Sequence, residues 1–258
     1  MEQLYRQIEP LVRSCGELLR SRIKSEGQIH HKGEVDFVTD TDLAVSRRLC
    51  EGLPALLPGS RVITEEQPEH SFDYSQDTWV IDPLDGTSNY IFDLHASAVS
   101  VALIRGKEPA LGIIYNPYLD ELFHAIRGKG AFLNGAQIHA CSKERLLDGM
   151  VAVGTSPYHR ELSAATFQKL QRIFERCIDI RRCGSAALDL AAVACGRMAG
   201  FYEELLSTWD YAAGALLITE AGGKITRADG SPLRFDGKES IVAAGAGVHA
   251  ELLEAAGC

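Results

Sequence analysis

Three apolar residues, Trp79-Val80-Ile81, run without a break into Asp82-Pro83-Leu84-Asp85-Gly86-Thr87-Ser88-Asn89. A run of that kind reads as a buried strand, so the fold must hold two carboxylates, three positions apart, at a strand's end. Each part of the turn has a physical task. Asp82 and Asp85 offer the hard oxygen ligands that magnesium prefers, Pro83 stiffens the turn between them, and Gly86 lets backbone come close to a ligand. A helical turn beginning at Gly86 would face a phosphate with its free N–H groups. Asp-Pro or Asp-Gly alone would mark only a surface turn; it is the whole run, following a strand, that points to chemistry.

Three further acidic segments flank it. Val62-Ile63-Thr64-Glu65-Glu66 places two glutamates after another apolar strand, where one can reach the same strand-end cleft, although taken alone the pair fits a solvated loop equally well. Ser207-Thr208-Trp209-Asp210-Tyr211-Ala212-Ala213-Gly214 opens a helix with small residues that permit close packing. Asp210 lies in its first turn, where in isolation it would be read as a cap. Lys32-Gly33-Glu34-Val35-Asp36-Phe37-Val38-Thr39-Asp40-Thr41-Asp42 brings a fourth acidic cluster to a helix start.

Around these segments the periodicity changes from one half of the chain to the other. Leu4, Ile8, Leu11, Val12, Cys15, Leu18, Leu19 and Ile23 recur at helical spacing and predict a long amphipathic first helix. A second helix is expected from an Asp40 or Thr41 N-cap, with Leu43, Leu49 and Leu53 on its buried side and Pro58-Gly59 at its end. Strands are predicted at Arg61 to Thr64, Thr78 to Ile81, Ala96 to Arg105, Ala110 to Tyr115 and Glu121 to Ile126, in a mostly meandering sheet. Asn134-Gly135 between Ala131 to Leu133 and Gln137 to His139 is a type I′ hairpin signal. From about residue 146 strands alternate with helices: strands at Met150 to Val153, Ile178 to Arg181 and Ala199 to Tyr202, and helices at Glu161 to Arg176, Ala186 to Cys195 and Trp209 to Glu220. Strands near Lys224 and Ile241 and a short helix after Val248 close the chain. The expected organisation is therefore one domain over residues 1–258, with a meander-rich part to about residue 145 and an alternating part after it.

Composition narrows the function classes. With 258 residues, 46% of them hydrophobic, the chain can bury a large core, and its apolar runs are too short to span a membrane. Charges through the first helix break any signal-peptide core, so a cytoplasmic location is expected. Seven scattered cysteines without a C-x-x-C pair fit reduced thiols. A formal net charge of −9 opposes broad nucleic-acid binding, and suits an anionic phosphate only if bound cations supply the attraction. No histidine pair has zinc-ligand spacing and no G-x-S-x-G occurs. Gly245-Ala246-Gly247-Val248 mimics a dinucleotide fingerprint but leaves no room for a βαβ unit, and reads as a turn into the last helix.

In this order, the acidic V-D-x-V-T-x-x-D segment, E-E after a strand, D-P-L-D-G-T and W-D-x-A-A-G resemble the inositol monophosphatase family from Lys32 to Gly223. Gly184-Ser185-Ala186-Ala187 and Phe201-Tyr202-Glu203 match a further family segment near the substrate. The resemblance implies an α/β layered αβαβα sandwich and magnesium-dependent, lithium-sensitive hydrolysis of a small polyol's phosphate monoester, foremost myo-inositol 1-phosphate, by a metal-activated water. It implies Glu65, Asp82 and the Leu84 carbonyl as ligands of one magnesium and Asp82, Asp85 and Asp210 as ligands of a second, with a third, largely hydrated ion near Glu65. It assigns Thr87, paired with Asp42, and Glu65 to activating the water, and the N–H groups of Gly86 and Thr87 to the phosphate. Asp85, Ala187 and Glu203 are assigned to the polyol, although Glu203 on its residue type alone would pass for an edge-strand surface charge. Homodimerisation is expected of the family. Fructose-1,6-bisphosphatase or 3′(2′),5′-bisphosphate nucleotidase activity on the same core, or a regulatory protein of this fold contacting a partner such as a transcription complex, are the alternatives.

Overall fold

The structure is a computed structural model and describes residues 1–20, 29–33, 36–67 and 72–257. Helix α1 (Glu2–Arg20) buries Ile8, Val12, Cys15 and Leu19 along one stripe, as the spacing predicts; Ile23 lies outside the described residues. A small antiparallel ladder of β1 (Ile29–His31) and β2 (Phe37–Thr39), not foreseen in the sequence, leads into α2 (Asp40–Leu56). Glu34 and Val35 of the fourth acidic cluster also lie outside the described residues. The N-cap of α2 is Thr39, one residue before Asp40 and two before Thr41, the two expected positions. Its hydroxyl accepts from the Asp42 N–H while the Asp42 carboxylate accepts from the Thr39 N–H at 2.8 Å, a reciprocal capping box. Leu43, expected in the core, is 42% exposed: with α2 fixed by its cap, Val45, Leu49 and Leu53 form the buried stripe.

The predicted meander is a seven-stranded sheet in the order β3 (Arg61–Thr64), β4 (Thr78–Asp85), β5 (Ala98–Arg105), β6 (Glu108–Asn116), β7 (Glu121–Ile126), β8 (Gly130–Leu133) and β9 (Ala136–Ile138). Only the β3–β4 pair is parallel. Between β4 and β5 runs the five-residue helix α3 (Thr87–Ile91). The β8–β9 turn has Asn134 and Gly135 both at positive φ, the hairpin the dipeptide announces.

The second half supplies β10 (Met150–Val153), α4 (Ser163–Phe174), β11 (Asp179–Arg181), α5 (Ala186–Ala194), β12 (Gly200–Leu206), α6 (Thr208–Glu220), β13 (Gly223–Thr226), β14 (Glu239–Gly245) and α7 (His249–Ala256). Its strands form a five-stranded mixed sheet, β11-β10-β12-β14-β13. The β10 pairings are parallel and the β14 pairings antiparallel. Three apolar clusters define the layers. α1 and α2 cover the outer face of the large sheet, α5 and α6 fill the space between the sheets, and α4 and α7 cover the outer face of the small one. This is an αβαβα sandwich. Its middle layer explains why α6 is apolar on every side. No described helix is long and apolar enough to cross a membrane.

Candidate active site

The local geometry of β4 turns a sequence spacing into a site. On a regular strand, positions three apart point to opposite faces. Here Asp82 pairs with Ser100 and Asp85 with Ala98, so β4 carries one extra residue between them, a bulge at Pro83-Leu84. Pro83 has no N–H for the ladder, which suits it to that place. The bulge turns both aspartates into one cleft. Because β3 runs parallel to β4, with the Glu65 N–H donating to the Ile81 carbonyl at 3.3 Å, Glu65 emerges beside Asp82 at the same strand ends. Asp210 arrives from the first turn of α6, its Oδ2 accepting from the Ser207 N–H at 2.7 Å.

The cleft has a volume of about 290 Å³, and Glu65, Asp82, Leu84, Asp85, Gly86, Thr87, Glu203 and Asp210 all line it. Gly86 enters α3 with φ +89°, and a Cβ there would lie 3.0 Å from the Ala96 carbonyl oxygen and 3.3 Å from that of Gly184. Only glycine fits this turn. Behind it the Thr87 hydroxyl lies 3.3 Å from Asp42 Oδ1 and 3.2 Å from the Leu84 carbonyl oxygen. The Thr87–Asp42 pairing implied by the resemblance is thus formed, with Asp42 held under the cleft by its own capping box.

Burial dominates the electrostatics. It pushes the carboxyls of Asp82 and Asp210 well above their ordinary range, and acidic neighbours add to the shift: Glu65 and Asp85 for both, Asp210 for Asp82 and Glu203 for Asp210. Asp85 is raised by burial as well, against the Ser185 hydroxyl and backbone N–H groups that favour its charged form. Burial lifts Glu65 to about 7 despite the Lys32 ammonium, which lies 3.5 Å from Oε1 and 2.9 Å from Glu66 Oε1. Asp42 rises to about 6 for the same reason, in spite of its bonds to Thr39.

Among the described residues no group of three or more His, Cys, Asp or Glu side chains is gathered closely enough to hold a metal ion as it stands. The donor chemistry nevertheless fits a hard divalent cation. Each aspartate commits one oxygen to the chain: Asp82 Oδ1 to the Leu84 N–H at 2.9 Å, Asp85 Oδ2 to the Ser185 hydroxyl and Ala187 N–H, and Asp210 Oδ2 to Ser207. Each keeps a second oxygen, so the carboxylates are fixed in place and still have an acceptor to offer. A cation among them would relieve both desolvation and mutual repulsion.

At the other end of the cleft Glu203 is 7% exposed, raised to about 7 by burial, with Oε1 accepting from the Ser156 N–H at 2.8 Å. Gly154 packs against this carboxylate so closely that any Cβ would collide with it. Ala187 does not line the cleft as expected. Its side chain is wholly buried between the sheets and its N–H anchors Asp85, while the neighbouring Ala186 faces the cleft. The helical register of α5 makes that one-residue difference. Ser185, part of the segment already matched to the family, caps α5 and lines the cleft; Arg182, Tyr158 and Asp189 line it too and carried no signal in the sequence.

Comparison with known proteins identifies the family and the fold. The model of the inositol monophosphatase family matches residues 1–257. The chain is 40% identical over 226 residues to tomato (Solanum lycopersicum) inositol monophosphatase 2, covering 85% of each chain. It is also 40% identical over 218 residues to the Nus factor SuhB of Salmonella typhimurium strain LT2, covering 83% of this chain and 81% of that one. The crystal structure of extragenic suppressor protein suhB from Bartonella henselae superposes with a TM-score of 0.91 at 34% identity, covering 98% of each chain. With a family model matched over nearly its whole length, the chain belongs to the inositol monophosphatase family, whose members are metal-dependent phosphatases.

Proposed function

We propose that the chain hydrolyses the phosphate monoester of a small polyol, inositol 1-phosphate foremost, with magnesium held by the cleft carboxylates. The observation that carries this reading is the convergence of four carboxylates on one cleft beside the helix start at Gly86: Asp82 and Asp85, buried in β4, and the half-buried Glu65 and Asp210, which follow β3 and open α6. Glu65, Asp82 and the Leu84 carbonyl would hold one magnesium, Asp82, Asp85 and Asp210 a second, and Glu65 would border a third that keeps most of its water. When bound, magnesium neutralises the phosphate and makes a water acidic enough to attack near neutral pH.

The chain's own groups then have separate tasks. Glu65, whose Oε1 lies 3.5 Å from the Lys32 ammonium, has its other oxygen to accept the water's proton. The Thr87 hydroxyl, held by Asp42, orients that water. N–H groups of Gly86 and Thr87 donate to phosphate oxygens from a fixed turn, without the reorganisation that solvent would require. Glu203 and Asp85 accept hydrogen bonds from hydroxyls of the alcohol, and Ala186 lines the pocket beside them. Since the cleft draws on both sheets, residues 1–258 act as one catalytic domain, and the family resemblance supports a homodimer.

A second reading, a regulatory binding protein, is favoured by the relatives named Nus factor, and it is compatible with hydrolysis because all the carboxylates are in place. The test is phosphate release from inositol 1-phosphate, fructose 1,6-bisphosphate, 3′-phosphoadenosine 5′-phosphate and histidinol phosphate, with magnesium and with chelator. Magnesium-dependent preference for inositol 1-phosphate supports the substrate, preference for another ester moves it, and no release from any of them overturns the phosphatase reading.

A further inference from the structure

One acidic side chain of the cleft has no role in the chemistry above. Asp189 lies one turn into α5, where its N–H donates to the Ser185 carbonyl at 3.0 Å. It is 3% exposed, yet it lines the cleft at the end formed by Arg182, Gly184 and Glu203. Burial pushes its carboxyl up to about 8; the side-chain partner that favours the charged form is the Cys183 thiol, while Asp85 and Glu203 oppose it and Arg182 assists. A thiol is a weak donor. A carboxylate shut away from water needs stronger ones, and at this end of the cleft the hydroxyls of a bound alcohol can supply them.

Glu203 is prepared in the same way. One of its oxygens is engaged by Ser156, and Gly154 leaves space for the carboxylate that no other residue would leave. Arg182 is the only lysine or arginine among the described residues lining the cleft, and it sits on the exposed side. Two buried acids therefore outnumber the single cation where the alcohol portion of the ester would lie.

We propose that Asp189 is a second polyol-recognition residue which, with Glu203, forms an acidic wall that selects the ester of a neutral, hydroxyl-rich alcohol over one bearing a second phosphate. Vicinal hydroxyls can donate to the carboxyl oxygens of both acids in either protonation state, whereas a distal phosphate would bring negative charge against acids that repel it once ionised and offer it at most one proton each when neutral. The inference rests on the phosphatase reading and names the class of alcohol the site accepts. A bland role is also available, since an acid in the first turn of α5 interacts favourably with the helix dipole. The two roles differ in what they do to selectivity.

The experiment compares the wild type with Asp189→Ala and Asp189→Asn on inositol 1-phosphate, p-nitrophenyl phosphate and fructose 1,6-bisphosphate, all with magnesium. The expected result for Asp189→Ala is an approximately tenfold fall in the ratio of kcat/KM for inositol 1-phosphate to that for p-nitrophenyl phosphate, carried by KM, the size of one lost hydrogen bond to a charged group. The amide variant, which keeps the shape and one acceptor, should lose about threefold, and in both variants fructose 1,6-bisphosphate should gain on inositol 1-phosphate. Parallel losses on all three substrates, with a lower Tm and unchanged ratios, would assign Asp189 to α5 stability and overturn the inference. If Asp189→Ala fails to fold, the Asn ratio decides. A wild type active on these esters with unchanged variant ratios sinks this inference alone; a wild type releasing phosphate from none sinks the phosphatase reading with it.

Discussion

The two ends of the cleft are built by different means. At the phosphate end, Glu65, Asp82, Asp85 and Gly86 come from the ends of two adjacent parallel strands and the bulged turn that follows, so backbone pairing fixes their relative positions. At the polyol end, Ser156, Arg182, Asp189 and Glu203 come from a loop, the approach to α5, its first turns and β12; the β10–β12 ladder sets Ser156 near Glu203, and tertiary packing brings Arg182 and Asp189 to them. The first arrangement tolerates little change because its geometry is that of the sheet. The second can be altered one side chain at a time, which is what a family sharing one chemistry among several substrates needs.

The largest effect should come from the rigid end. Asp82→Asn keeps an oxygen to accept the Leu84 N–H and removes a charge that two proposed cations share, so kcat/KM for inositol 1-phosphate should fall at least about a thousandfold, equivalent to about 4 kcal/mol, with an unchanged circular dichroism spectrum. Near-normal hydrolysis by the folded variant would remove the two-cation arrangement. The same carboxylates set a pH dependence. Asp42 is raised from 3.8 to about 6 and Glu65 from 4.5 to about 7, so the folded state retains protons that the unfolded chain has released. Their contribution to stability is complete below about pH 4 and lost as pH rises through 6 to 7. In chelator, Tm should fall from pH 5 to pH 8, and magnesium should restore more at pH 8 than at pH 6. A Tm in chelator that rises over this interval would contradict the burial argument.

The adaptable end should respond in selectivity. Gly154→Ala forces a methyl against the Glu203 carboxylate, which must turn away and give up its Ser156 bond. KM for inositol 1-phosphate should rise about tenfold, with a smaller change in kcat/KM for p-nitrophenyl phosphate. Equal losses on both substrates would show that the two ends are less independent than their construction suggests.

The same contrast governs what was legible in the sequence. The Asp-Pro-Leu-Asp-Gly-Thr run could be read because every part of the phosphate end except Glu65 and Asp210 is local, and those two follow a strand and open a helix, respectively. Strand and helix positions followed from periodicity, and most bounds fell within two residues. The α2 cap was missed because Thr39, Asp40 and Thr41 are all good capping types, and only the reciprocal bonds between Thr39 and Asp42 choose among them. Ala187 and Ala186 differ by one helical step, which no spacing resolves. Asp189 sits in an Ala/Leu-rich helix with no nearby acidic partner in sequence; its role depends on Glu203 and Arg182, brought beside it by the layers.

The smallest expected effect isolates what makes the phosphate end special. Gly86 and Gly135 share the left-handed backbone, with φ of +89° and +80°. A Cβ at Gly135 would meet nothing within 4 Å, whereas at Gly86 it would press on two carbonyl oxygens in the cleft turn. Gly135→Ala should therefore cost about 1 to 2 kcal/mol of stability, the ordinary penalty of an L-residue in that conformation, read as a Tm lower by a few degrees, while kcat and KM stay at wild-type values. Gly86→Ala should incur the same backbone penalty and, in addition, lose most of its turnover, because the turn must shift to admit the methyl. If both variants lose stability alone, the phosphate end is held less tightly than the bulge and its ladder imply; if both lose turnover, the hairpin at the far edge of the large sheet is coupled to the cleft through the sheet itself.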